Sequence, residues 1–223
     1  MGVWKGGSAL FLAGLLREAG TNGTVIAIDT FLGSPEHWDR RGRNGNLMPC
    51  KNGRPLLYEQ FLTNVVRTGM QDFIVPLPQS NEHAAIILSR LDIRAGLIHI
   101  DAAHEYEPVM RDVRAYWELL EPGGYLVGDD YVAVWPDVIR VAHEFAQSVN
   151  QPLMVADQNG FCKSHSERYR RRGSGDLLAP EPRRSDIGAL SDRCELEPHS
   201  GFDHPLAIGE GSEAAICRSD DTL

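Results

Sequence analysis

The stretch 97–131 places the tightest constraint on what this chain can become. It opens LIHIDAAHEY, continues through a segment of helical spacing and closes LEPGGYLVGDDY. At each end a short apolar run rich in Ile, Leu and Val stops abruptly at acid, Asp101 after the first run and Asp129 with Asp130 after the second. Such runs suit buried parallel strands. Between them Val109, Met110, Val113, Tyr116, Trp117 and Leu120 recur at the spacing of a helix with one buried face, which predicts a helix over 106–120. Pro122, Gly123 and Gly124 are expected to stop that helix and turn the chain. A strand, a crossover helix and a second strand make a right-handed unit with its strands parallel. The fold class is therefore α/β, and the acids emerge together at the carboxyl edge of the sheet, where open α/β sheets bind ligands.

Three carboxylates at one edge repel one another unless something positive joins them. A hard cation that prefers oxygen, such as Mg²⁺, is the simplest partner, with Asp101, Asp129 and Asp130 as its ligands. His104 follows Asp101 closely enough to face the same edge, and an unperturbed imidazole titrates where a general base is useful. Taken singly, each has an ordinary explanation: a strand-end Asp caps turns, and a loop His is commonly solvated.

Upstream, Gly2, Gly6 and Gly7 precede a helical pattern of Ala9, Leu10, Leu12, Ala13, Leu15 and Leu16, with Ser8 as the expected N-cap. Glycines before a helix N-terminus let a ligand reach backbone N–H groups and the positive end of the helix dipole. An apolar strand then ends in Asp29, about twenty residues past the glycine turn, the spacing at which nucleotide-binding folds place a carboxylate on ribose hydroxyls. The stretch 31–55 is rich in Gly, Asn, Arg and Pro and is expected to form a lid-like loop. Further elements are a helix over 56–68, a strand over 73–76, Gln79 and Ser80 at the ligand edge with Ser80 capping the next helix, and a helix over 135–149. Strands over 153–156 and 160–163, joined by Asp157, Gln158 and Asn159, finish the sheet antiparallel.

Composition narrows the function. A net charge of −9 on 223 residues disfavours nucleic acid and favours a small-molecule substrate. Cys50, Cys162, Cys194 and Cys217 are scattered without paired spacing, which suits reduced thiols in a cytoplasmic protein. No apolar run has membrane-spanning length, so no membrane partner is expected. A homo-oligomer stays open. The stretch 164–223 carries an arginine cluster, Gly, Ser, Pro and acids without apolar periodicity, and is expected to be a disordered tail behind a domain over 1–163.

With these residues on the page, the chain resembles the class I S-adenosylmethionine-dependent methyltransferases, through GVWKGGS, IDTFLGSPEHW, IDAAHEY and PGG followed by GDDY. The resemblance covers about 1–163. It implies a Rossmann-like sheet, mostly parallel with an antiparallel C-terminal hairpin, flanked by helices and with its first strand largely missing from the chain as written. It also implies S-adenosylmethionine as cofactor, with Gly2, Gly6, Gly7 and Ser8 at its methionine part, Asp29 at the ribose, Gln79 and Ser80 near the adenine, and Asp101 close by. In the similar metal-dependent O-methyltransferases acting on catechols, sugars and natural products, acids at the positions of Asp101, Asp129 and Asp130 bind Mg²⁺, and His104 stands where the catechol enzymes place a catalytic Lys. The implied reaction is O-methylation of a small hydroxylated substrate. Two alternatives remain beside it, a truncated and inactive methyltransferase-like binding module and a nicotinamide-dependent Rossmann oxidoreductase.

Two expectations are directly testable. Deleting 164–223 should change neither the melting temperature nor cofactor affinity, because that stretch offers no apolar face to dock; a large fall in melting temperature would show that it packs on the domain. An added upstream segment with an apolar run should raise both stability and affinity, since the strands ending at Asp29 and Asp101 otherwise lack their shared neighbour.

Overall fold

A computed structural model describes residues 1–39, 47–156 and 159–164. The chain runs α1 (Gly7–Glu18), β1 (Val25–Ile28), α2 (Pro35–Trp38), β2 (Cys50–Lys51), β3 (Arg54–Pro55), α3 (Leu57–Arg67), β4 (Ile74–Leu77), α4 (Asn81–Arg90), β5 (Ala95–Ile100), α5 (Tyr106–Trp117), β6 (Leu120–Gly128), α6 (Pro136–Ser148), β7 (Met154–Ala156) and β8 (Asn159–Lys163). Strands β1 and β4 pair in parallel. A second sheet has the order β5-β6-β8-β7, parallel between β5 and β6 and antiparallel thereafter, as the closing hairpin predicts. The Rossmann-like mixed α/β class expected from the sequence is what forms.

Met1 and Gly2 lie between the two sheets. The Met1 amine donates to the His99 carbonyl at 2.6 Å and the Met1 carbonyl accepts from the Asp101 N–H at 3.1 Å. On the other side Gly2 N–H donates to the Ile28 carbonyl at 3.0 Å. Gly2 sits at φ +71°, where a Cβ would overlap the Asp101 carbonyl, so only glycine fits between these strand ends. Burial pushes the Met1 amine down to about 6, against the pull of Asp101 and Asp29.

Apolar side chains fill both faces of the sheet. Ile28, Leu77, Ile98, Ile100 and Leu126 pack with α4, α5 and α6 through Leu88, Val109, Val113, Tyr116, Val141 and Phe145. On the opposite face Ala27 and Ile74 meet Ala9, Ala13, Phe61 and Val65 of α1 and α3. The alternation of Ala27 against Ile28 is the period of two that sends neighbouring strand residues to opposite layers.

Several local expectations need correction. Pro122, Gly123 and Gly124 do not end the helix, which stops at Trp117; they lie within β6. Ala95 pairs with Leu120 but Leu97 with Tyr125, so the three residues form a bulge that the strand absorbs without losing its partner. Ser8 is not the N-cap of α1. Gly6 takes that place in the left-handed conformation at φ +98°, which glycine adopts without penalty, and Ser8 falls inside the first turn. The lid-like stretch 31–55 holds α2 and the β2–β3 ribbon, while 40–46 lie outside the described residues. Also outside them are Asp157 and Gln158 of the expected hairpin turn and the tail beyond Ser164.

One buried polar cluster ties α4 to α5. Asp112, 4% exposed, accepts from Asn81 Nδ2 at 2.6 Å, and the Tyr116 hydroxyl donates to the Asn81 carbonyl at 2.9 Å. Burial raises Asp112 above the usual carboxylate range despite the Asn81 hydrogen bond. Removing Asn81 would leave a buried carboxylate without that donor. Asn81→Ala is therefore expected to destabilise the fold by about 2–4 kcal/mol in urea titration at pH 7. The loss should shrink at low pH, where Asp112 is neutral in both proteins; a pH-independent loss would trace the effect to helix packing instead.

Candidate functional site

The carboxyl ends of the parallel strands bring most of the expected residues to one edge. Asp29 follows β1, Gln79 and Ser80 follow β4, Asp101 follows β5, and Asp129 with Asp130 follow β6. Crossover connections put them there, because each parallel strand must begin again from the opposite edge.

Asp29 is the best fixed of them. Its Oδ2 accepts from the Trp4 N–H at 2.8 Å and its Oδ1 from the Phe31 N–H at 2.7 Å. Both donors have positive φ, Trp4 at 52° and Phe31 at 56°, a conformation that bulky residues rarely hold. Two strained residues thus converge on one carboxylate and fix its plane while leaving lone pairs on both oxygens. Trp4 also stacks on His37 of α2, with centroids 4.2 Å apart, and so links the glycine turn to α2.

The start of α1 is open. Gly6 supplies no side-chain cap, so the first N–H groups of the helix are not satisfied from within by a capping side chain, and a Cβ built on Gly7 would meet nothing. That suits the close approach of a ligand to the helix N-terminus. At β4 the geometry is plainer: Ser80 Oγ accepts from the His83 N–H at 3.3 Å, the helix-capping role foreseen for it.

The acidic cluster joins His104. His104 Nε2 lies 2.8 Å from Asp130 Oδ2, and its ring stacks on Trp135, centroids 4.0 Å apart and planes at 12°. Asp130 is held at φ 61°, and its N–H donates to Asp129 Oδ1 at 2.9 Å. His99 Nε2 stands 3.9 Å from Asp129 Oδ2. Burial, then the charges of Asp129 and Asp130, push Asp101 up to about 6. A small cavity of about 60 Å³, walled in part by Val109, Leu126 and Phe145, borders these groups.

Oxygen-only donors with mutual repulsion fit the chemistry of a hard cation such as Mg²⁺. The side chains are not gathered as ligands, however: among the described residues no group of three or more His, Cys, Asp or Glu is arranged to hold a metal ion. Asp130 is turned to His104 instead. The sequence pointed to the acids and His104 but not to Trp135, His99 or the Trp4–His37 stack. Only the aromatic residues near the edge motifs could have signalled them, since ring stacking is a tertiary contact.

A parallel sheet with a glycine turn, a strand-end carboxylate fixed by two backbone N–H groups and an acid–imidazole pair marks an α/β protein of the kind whose ligands bind at the strand ends. Residues 1–131, more than half of the chain, match the methyltransferase domain family, and the protein belongs to that family. Among solved structures it is similar to the O-methyltransferase NovP, with 18% identity, 74% of this chain and 70% of that one covered, and a TM-score of 0.56. The calicheamicin methyltransferase CalS11 is similar too, with 20% identity, coverage of 73% and 69%, and a TM-score of 0.54. These likenesses are of fold. A curated relative, the uncharacterized protein R132 of Acanthamoeba polyphaga mimivirus, is 40% identical over 45 residues, a match spanning 20% of this chain and 20% of that protein. None of the helices among the described residues is long and apolar enough to cross a membrane.

The raised Asp101 has a stability consequence. Because its folded value, about 6, exceeds the ordinary 3.8, its contribution is full below the ordinary value and is lost as pH rises through about 6. Asp101→Asn removes that loss. In chelator-treated buffer the melting temperature of the variant minus that of the parent should increase between pH 4 and pH 7; a difference that stays flat across this range would mean Asp101 titrates normally.

Proposed function

We propose that the protein is an S-adenosylmethionine-dependent O-methyltransferase acting on a small hydroxylated molecule such as a sugar or natural product, assisted by Mg²⁺. The observation that carries this reading is the His104–Asp130 pair at 2.8 Å, flanked by Asp101 and Asp129 at the edge that Asp29 also faces. Support for a sugar acceptor comes from the shared fold of CalS11, described as a TDP-rhamnose 3'-O-methyltransferase.

S-adenosylmethionine, when bound, supplies an electrophilic methyl group. Asp29, already immobilised by two backbone N–H groups, accepts from the ribose hydroxyls without ordering cost. Gly2, Gly6, Gly7 and Ser8 offer backbone to the methionine part, while Gln79 and Ser80 lie toward the adenine and Asp101 borders the cofactor. With Nε2 committed to Asp130, the Nδ1 of His104 is the ring nitrogen free to take the hydroxyl proton. Asp130 then stabilises the imidazolium, and Trp135 holds the ring plane. Asp101, Asp129 and Asp130 are the residues that would hold Mg²⁺, whose chemistry is to acidify and stabilise the substrate oxygen. Placement and proton transfer are what these side chains contribute.

His104→Ala should leave S-adenosylmethionine affinity intact and slow methyl transfer about a hundredfold or more. Asp129→Ala and Asp130→Asn should also lose activity, and excess chelator should suppress the parent. A normal rate for His104→Ala would remove it as base, and full activity in chelator would leave the carboxylates a structural role. In parallel calorimetry, Asp29→Ala should weaken S-adenosylmethionine binding by about 1.5–3 kcal/mol; tight NAD binding without methyl-donor binding would sink the assignment as a whole.

A further inference from the structure

Behind the acidic edge, β6, β8 and α6 part to leave the cavity of about 60 Å³. Its origin lies in three small residues. Leu126 and Cys162 pair across β6 and β8, and Leu126 faces the core under α5 and α6. Two residues further along β6, on the same face, the pair is Gly128 with Gly160, so the column of side chains stops one layer short of the acids. Opposite them α6 presents Ala142, whose Cβ lies 3.8 Å from the position a Cβ would take on Gly160. The backbone does not ask for glycine here. Neither Gly128 nor Gly160 has positive φ, and among the described residues a Cβ on Gly128 would meet only the Gly160 carbonyl, at an ordinary 3.8 Å. What the two glycines provide is room.

The recess has two kinds of lining. Its depth is apolar, with Val109, Leu126, Val138, Val141 and Phe145 all buried. Cys162 stands among them as a free thiol, 4% exposed, which burial pushes up from its ordinary value. It therefore stays protonated and presents a soft, weakly polar surface. The mouth is different, formed by Asp101, His104, Asp129 and Asp130. A wholly apolar guest would strip water from those carboxylates at a cost, while a wholly polar one would leave its groups unpaired in the depth. A guest suited to both carries a hydroxyl at the mouth and a short alkyl group behind it. Scaled against a cavity of ~150 Å³ that holds benzene, the recess takes about two or three carbon atoms.

We propose that this recess is a binding subsite for a short apolar group, up to about three carbons long, attached beside the hydroxyl of the methyl acceptor. The assignment rests on the methyltransferase reading, in which that hydroxyl faces His104. It sorts hydroxylated molecules by what stands next to the reacting oxygen. A methyl or ethyl branch enters the recess, whereas a charged or hydroxylated branch would be buried without a partner. Gly128, Gly160 and Ala142 set the depth, so they determine specificity without touching the reacting atoms.

The test uses the full chain with 1,2-propanediol, 1,2-butanediol, 1,2-pentanediol and 1,2-hexanediol as probes, and reads affinity from the methyl NMR shifts of Val109, Leu126 and Val141. Affinity should rise about fourfold per added carbon as far as 1,2-pentanediol, then stop. Gly128→Ala should end the rise one carbon earlier. Ala142→Val narrows the recess from the helix side and should do the same, which keeps the test decisive if the sheet variant fails to fold. A rise that continues through 1,2-hexanediol, a series that neither variant shortens, or shifts confined to exposed methyl groups would overturn the proposal. S-adenosylmethionine and methyl transfer play no part in this titration. An inactive protein with the expected series would thus fail the proposed reaction and keep the recess, whereas an active protein with a flat series would keep the reaction and fail the recess.

Discussion

The backbone bonds of Met1 and Gly2 set the register between the two halves of this sheet. Side-chain packing reinforces that register, since Ile28 and Leu77 of one half share a core with Ile98, Ile100 and Leu126 of the other. Asp29 stands on one half and Asp101, Asp129 and Asp130 on the other. Whatever fixes the two halves against each other therefore fixes the distance across the ligand edge. Gly2 is wedged between Ile28 and Asp101 with no room for a side chain, so the same residue that registers the halves also bounds the site between them.

Much of this was legible before any coordinates. Apolar runs ending in acid located β1, β5 and β6, and parallel connectivity then dictated a common edge for Asp29, Asp101, Asp129 and Asp130. Ser80 was recognisable as a cap because its hydroxyl and the following helical pattern agree. Other features were hidden for physical reasons. Pro-Gly-Gly reads as a turn in any local grammar, and only pairing with β5 reveals it as a bulge within β6. Ser8 is a better cap than Gly6 by propensity, yet the left-handed backbone at Gly6 takes the position first. Trp4 and Phe31 carry no sequence sign that they would adopt positive φ, since propensity assigns that conformation to Gly and Asn.

The acidic edge illustrates how composition and geometry can part. Three carboxylates suggest a cation from the sequence, and burial first, with the charges of Asp129 and Asp130 after it, pushes Asp101 upward. One of them, Asp130, nevertheless spends its charge on His104, converting part of an electrostatic liability into an oriented imidazole. The balance between those two uses of one carboxylate is local, set by a side-chain rotation rather than by the fold.

The stacking of His104 on Trp135 gives the site its own optical signal. An imidazolium in face-to-face contact with an indole quenches its fluorescence by electron transfer, whereas a neutral imidazole does so weakly. With ring centroids 4.0 Å apart, the emission of Trp135 is expected to report the charge on the ring beside it, once the similar Trp4–His37 stack is separated by a Trp4→Phe background. Proton movement at the imidazole can thus be followed as a change in light, with no label attached and without turnover.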